Sequence, residues 1–178
     1  SPMLDQKIAF RRFYRAAFFL PSITSMVVVA IVWQWIYNPD YGLLNYFLSL
    51  FGIKGPKWLL DANTSLISLA IVGIWKRAGY DMIIFLSGLQ GISNSYYEAS
   101  MLDGANKWQQ FRYITLPMLK PTTFFVFVMA VISSFQVFDQ VMLMTKGGPG
   151  RSSSVLVHYL YQNAFQYFKL GYACAIAY

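Results

Sequence analysis

The stretch YYEASMLDGANKWQQFRYITLP, from Tyr96 to Pro117, is the polar interval of an otherwise apolar chain. It lies between two long greasy segments and carries both signs of charge. Just before it, Ser95 stands three residues ahead of Glu98, the pattern of a capping box in which Ser95 caps a helix and Glu98 reaches back. A helix of about two turns comes next, with Ala99 and Leu102 on one side. Gly104 can take a positive φ at low cost and end that helix. A second helix is expected from about Asn106 to Tyr113, with Trp108, Phe111 and Arg112 available on it. Leu116-Pro117 closes the unit, because the residue before proline is pushed out of the α region. The sequence thus predicts a rigid helix-turn-helix knuckle over 95–117, not a flexible linker.

The setting of the knuckle is membrane-like. Of 178 residues, 57% are hydrophobic and only 12% charged, where a soluble domain carries about a quarter charged. Aromatic residues reach 19%. The formal charge is +7, and the basic residues gather at loop ends beside apolar segments. That placement fits anionic lipid headgroups, and no nucleic-acid-binding pattern accompanies it. The one cysteine, Cys174, lies in GYACAIAY. It excludes an intrachain disulfide and a cysteine-built metal site, and reads as helix packing. The opening SPMLDQKIAF is no secretory signal. The chain stops inside an apolar run, so a fragment lacking the rest of its last helix is expected.

Three transmembrane helices are expected, at 16–37, 66–92 and 121–144, with a further one starting at 170–178. The first, AAFFLPSITSMVVVAIVWQWIY, would be about 33 Å long, enough to cross a bilayer. Trp33, Trp35 and Tyr37 cluster at its end as an interfacial belt would. The second is interrupted by Lys76, Arg77 and Asp81, and reads as one long helix with a charged middle, two re-entrant halves being the alternative. An aromatic, amphipathic helix at 155–168 fits the outer membrane surface. Lys7, Arg11, Arg12 and Arg15 precede the first span, and Lys107, Arg112 and Lys120 come after the second. Lys54, Lys57, Lys146, Arg151 and Lys169 lie on the opposite side. Seven against five, with the dense cluster nearest the first span, places the 95–117 loop in the cytoplasm and 38–64 outside.

With these residues in view, the knuckle resembles the EAA loop of binding-protein-dependent ABC importer permeases. Glu98-Ala99-Ser100, then Gly104, then Ile114 and Leu116-Pro117 stand at that loop's spacings, and Asp103, Ala105 and Phe111 fit its commoner variant. Ser100 departs from the third alanine but keeps a small residue. FFLP at Phe18–Pro21, NPDYGLLN at Asn38–Asn45 and KGGPG at Lys146–Gly150 are similar to the carbohydrate-uptake, maltose-type class. The resemblance runs from about Arg11 to the end. It implies an all-α, polytopic helical bundle of the type I importer kind in a prokaryotic inner membrane. It also implies a coupling helix formed by Glu98, Ala99, Ser100, Asp103, Gly104 and Ala105, docked on a cytoplasmic ATPase. Glu98 can cap its own helix, meet an arginine of that partner, or do both. The implied partners are a second, homologous permease, two ATPase subunits and an external solute-binding protein. The chain needs no cofactor of its own; ATP and magnesium belong to the partner ATPase.

Two readings stay open for the charged middle of the second span. Arg77 and Asp81, four residues apart, can pair on one helix face. Alternatively the charges line a polar cavity, since each is costly in lipid. By the resemblance, the sugar path comprises Gly73, Lys76, Arg77 and Tyr80, with Ala130 and Ser134 opposite. The cations there suggest an acidic saccharide or sugar phosphate. Tyr80 and Trp75 either stack on sugar or pack. KGGPGRSS fails the spacing of a phosphate loop and reads as an external turn. His158 stands alone, no catalytic constellation can be assembled, and the chain is not expected to be an enzyme. The competing functions are an importer permease for a non-sugar solute such as a polyamine, and an ion-coupled secondary carrier using Asp81 and Asp139.

Overall fold

The computed structural model describes residues 18–178, and the ordered elements in it are helical. Residues 18–23 are helical. After them come α1 (Met26–Ile36), α2 (Leu43–Leu50), α3 (Ser65–Gln90), α4 (Asn94–Leu102), α5 (Lys107–Gln110), α6 (Leu116–Met118), α7 (Lys120–Phe135), α8 (Asp139–Met144), α9 (Leu156–Tyr161) and α10 (Leu170–Ala177). Two π-helical turns, Phe111–Thr115 and Gln162–Gln166, extend α5 and α9. The basic cluster Lys7, Arg11, Arg12 and Arg15, with the first two residues of the expected first span, lies outside the described residues.

The chain divides into two compact units. One contains 18–22 and Arg77–Val131, the other Ile23–Lys76 and Ile132–Tyr178. The second has a core of Val29, Ala30, Tyr37, Leu69, Val72, Val141 and Met144, against which Trp33, Leu44, Trp58 and Leu59 pack. Its polar groups tie the helix ends. Gln34 donates its amide to the Leu143 and Met144 carbonyls at the end of α8, at 3.0 and 3.3 Å. The buried Tyr37 hydroxyl donates to the Ser68 carbonyl at 3.0 Å. The KGGPG turn closes over His158: a Cβ on Gly147 would stand 2.5 Å from the imidazole Cε1. Ser154 Oγ lies 3.2 Å from His158 Nδ1. The ring is 1% exposed, and burial holds its pKa below the usual histidine value.

In the other unit the second half of α3 is approached closely by its neighbours. A Cβ on Gly79 would run into the Phe18 carbonyl oxygen. The unit continues through α4, α5 and the first part of α7.

The segments expected as spans are helical, with interruptions. The helix expected over 16–37 is, in its described part, broken at Thr24 and Ser25, where Ser25 takes φ −55° and ψ 138° with no side-chain cap bond. The break frees backbone carbonyls, and Lys76 Nζ donates to that of Thr24 at 2.5 Å. The segment 121–144 is likewise broken, between α7 and α8, around Phe138. The second span is one helix and not two halves: α3 runs 26 residues through Lys76, Arg77 and Asp81. Among the described residues no single helix is both long and apolar enough to cross a membrane; α3 has the length, but three charges near its middle. The Lys107–Met118 and Lys120–Phe135 pair passes that test jointly, bent by 59°. The amphipathic element expected at 155–168 occupies 156–166, and α10 starts the last apolar run.

Candidate functional site: the knuckle and the charged turn of α3

The knuckle is a cross-braced pair of short helices. Helix α4 starts earlier than the sequence reading has it. Its N-cap is Ser93, whose hydroxyl accepts from the Ser95 amide at 3.3 Å. Ser95 bonds hydroxyl to hydroxyl with Ser93 at 2.8 Å. The expected Ser95–Glu98 capping box therefore does not form; Ser95 already lies inside the helix, and Glu98 is exposed on its outer surface.

The end of α4 matches the sequence closely. Asp103 is the C-cap, and Gly104 has φ +78°. Gly104 N–H donates to the Met101 carbonyl at 3.1 Å and Ala105 N–H to that of Ser100 at 2.9 Å. This bond pair is a Schellman motif, which a left-handed residue after the C-cap makes possible. Two residues further on, Asn106 caps α5 in a true capping box. Its side chain accepts from Gln109 N–H at 2.9 Å, while the Gln109 side chain accepts from Asn106 N–H at 2.8 Å.

Two side-chain bonds brace α4 against α5 and the π-helical turn beyond it. Gln110, 5% exposed, donates to Ser100 Oγ at 3.0 Å, and Ser100 donates to the Tyr97 carbonyl at 2.8 Å. Tyr97 and Thr115 share a hydroxyl bond of 2.8 Å. The serine that replaces the loop's usual alanine is thus a bonding residue. Sequence reasoning misses Gln110, Tyr97 and Thr115, because bonds over 10 and 18 residues leave no local signature. The Asn106–Gln109 box is legible as N-x-x-Q. Outward, the knuckle presents Glu98 and Ala99 beside Leu102, which is 91% exposed, with Trp108 and Phe111 stacked at 5.8 Å. A rigid, capped element with an apolar tip can insert into a partner's groove and move with it.

The charged turn of α3 is internally engaged. Arg77 Nε donates to Asp81 Oδ2 at 3.1 Å, both side chains being 23% exposed. Asp81 Oδ1 is buried and accepts no hydrogen bond from the described residues. Lys76 serves the Thr24 carbonyl. Gly73 faces the Gln140 amide, 3.3 Å from where a Cβ would be. Tyr80 is exposed, and Trp75 packs edge-on to Trp33 at 5.5 Å. Ala130 and Ser134 lie one turn apart on α7, partly buried and exposed respectively. None of the six expected path residues lines the open depression of about 350 Å³ that Gln34, Tyr37, Asn38, Leu60, Met144 and Pro149 form in the unit that carries the Lys146–Gly150 turn.

Residues 5–178 match the family model described as the binding-protein-dependent transport system inner membrane component. The chain belongs to this family. Within it, the chain is 42% identical over 167 residues to the probable ABC transporter permease protein YurN of Bacillus subtilis, covering 93% of this chain and 57% of YurN. It is 33% identical over 171 residues to the arabinooligosaccharides transport system permease protein AraP of the same organism, covering 95% of this chain and 55% of AraP. A crystal structure of a bacterial ABC transporter involved in import of the acidic polysaccharide alginate superposes with a TM-score of 0.86 at 27% identity. That match covers 98% of this chain and 62% of the neighbour's. The fold is that of the all-α importer permeases. This permease-family chain spans less than two thirds of the length of these relatives.

Proposed function

We propose that the chain is the membrane-spanning part of a permease subunit in an ATP-driven importer, crossing the inner membrane several times and forming the path for a carbohydrate. The observation that carries the reading is the knuckle. Glu98, Ala99, Ser100, Asp103, Gly104 and Ala105 sit on a doubly capped, hydrogen-bonded elbow with an exposed apolar tip, at the loop by which the family resemblance implies ATPase docking. In this reading the partners are a second homologous permease, two ATPase subunits that bind ATP and magnesium, and an external solute-binding protein. ATPase closure displaces the elbows, and the spans rock between inward- and outward-open states. The knuckle is cytoplasmic and the 38–64 loop external.

The sugar assignment is supported by AraP and by the alginate importer, one named for arabinooligosaccharides and the other for an acidic polysaccharide. Lys76 and Arg77 favour an acidic or phosphorylated saccharide, although both also serve protein groups. The path comprises Gly73, Lys76, Arg77, Tyr80, Ala130 and Ser134. The Arg77–Asp81 pair neutralises charge that would otherwise oppose membrane insertion.

The test is assembly and coupling of the full-length permease with its co-expressed partners. Ala99→Cys and Leu102→Cys are expected to crosslink to the ATPase, and Glu98→Ala to lower solute-stimulated ATP hydrolysis. Uptake of neutral and uronic-acid oligosaccharides then separates the solute classes. Full uptake without any ATPase contact at these two positions would refute the reading.

A further inference from the structure

Helix α2 carries an outward stripe of apolar and aromatic residues, bordered by the exposed Ser49. Leu43, Tyr46, Phe47 and Leu50 recur at i, i+3, i+4 and i+7, and are 40, 60, 55 and 63% exposed. Phe51 and Ile53, just past the helix, add 79 and 55%. An exposed apolar stripe of this size marks an interaction surface.

The stripe is held in place from behind. Leu44 packs on the core. Asn45 accepts from Trp58 Nε1 at 2.8 Å and donates to the Pro39 carbonyl at 3.0 Å. The C-terminus is fixed by Gly52 at φ +71°, with Gly52 N–H bonded to the Ser49 carbonyl and Ile53 N–H to that of Leu48, both at 3.0 Å. These bonds make a second Schellman motif.

Three observations choose the occupant. Lys54 and Lys57 lie just beyond the C-terminal end of the stripe, while the nearest carboxylates, Asp40 and Asp61, stand before α2 and after Trp58, so the charge next to Phe51 and Ile53 complements anionic headgroups. Helix α2 begins six residues after Tyr37, where Trp33, Trp35 and Tyr37 mark the end of α1 with the residue types that concentrate at a bilayer interface. The stripe offers one hydroxyl, on Tyr46, and otherwise only hydrocarbon and rings, as a helix lying in an interface requires.

We propose that α2 lies in the headgroup region of the external membrane surface, its stripe in the acyl boundary and Lys54 and Lys57 at the lipid phosphates. The inference rests on the permease reading. Its structural consequence is an anchor for the start of α3. The segment tied to α2 through Trp58 also supplies the Trp58 carbonyl that Thr64 and Ser68 bond at 2.8 and 3.2 Å.

The test uses the full-length permease with Cys174→Ser, reconstituted in phosphatidylcholine–phosphatidylglycerol vesicles. A fluorophore is placed at Phe51→Cys, with Tyr46→Cys as a second position. Ile31→Cys on α1 is the membrane control. Lipids brominated near the glycerol end should quench positions 51 and 46 several-fold more than lipids brominated at the chain terminus or aqueous iodide. Lys54→Gln with Lys57→Gln should move the label outward. Quenching at 51 and 46 by iodide alone would overturn the proposal, as would shielding from both quenchers, which means a protein cover. If Ile31 is lipid-quenched in that case, only the α2 proposal fails. If Ile31 is also aqueous, the permease reading fails with it.

Discussion

Replacing Gly104 by alanine isolates what the elbow's geometry contributes. Gly104 has φ +78°, and a Cβ built there meets no atom within 4 Å. The substitution therefore adds no clash inside the chain; it changes only the energy of the left-handed backbone. An L-residue loses about 1–2 kcal/mol in that region. This corresponds to a shift of roughly 5–30-fold against the Schellman-closed state. Released, the Ala105 and Gly104 amides lose their carbonyl partners, and α4 no longer enters α5 at a fixed angle. Asparagine tolerates the left-handed region better than alanine does, so Gly104→Asn should recover most of the loss. The assay is solute-stimulated ATP hydrolysis and uptake by the reconstituted, assembled importer, with thermal unfolding of the same samples. The expected order is glycine, then asparagine, then alanine in coupling, with basal ATP hydrolysis unchanged. If alanine and asparagine are equally impaired, a side chain obstructs the partner and the backbone argument is wrong. If alanine equals wild type, the elbow's angle does not matter.

Two polar sites yield further expected outcomes. Asp81→Asn should cost about 1–3 kcal/mol of stability, and a double-mutant cycle with Arg77→Gln in thermal unfolding should give a coupling of about 0.5–3 kcal/mol; additive losses would remove the pair as a structural unit. His158, whose folded pKa is depressed by burial, should make stability fall as pH drops below about 6.5, where the unfolded chain takes up the proton first. The loss should level off below the folded pKa, and His158→Gln should flatten the thermal-unfolding profile across that window.

The knuckle is legible in the sequence because its chemistry is local. Gly104 ends a helix by a rule of one residue, but the expected close at Leu116-Pro117 does not occur: Leu116 stays in the α region at φ −64° and ψ −46°, and the helical run continues to Met118. Its start is misread because Ser93 and Ser95 compete for one cap, and Ser93 wins with Asn94 inside the helix. The breaks at Thr24–Ser25 and around Phe138 are not legible. Neither break carries a glycine or proline, only polar residues that a helix also accepts (Thr24 and Ser25; Gln136 and Asp139), and at the first the freed carbonyl is served by Lys76, 52 residues away. Helix α2 escapes a sequence reading although LLNYFLSLFG shows the i, i+3, i+4, i+7 recurrence and a terminal glycine; eight residues are a weak signal beside a 22-residue apolar run. The path residues of α3 fall on one helix, as their spacing suggests, but their partners, Thr24 and Gln140, depend on tertiary packing.

The bond from Gln110 to Ser100 ties two positions ten residues apart into one unit. A serine-to-alanine change at 100 alone would take this acceptor from a buried carboxamide. Grafting this elbow into a sibling transporter therefore means transplanting both residues as one cassette.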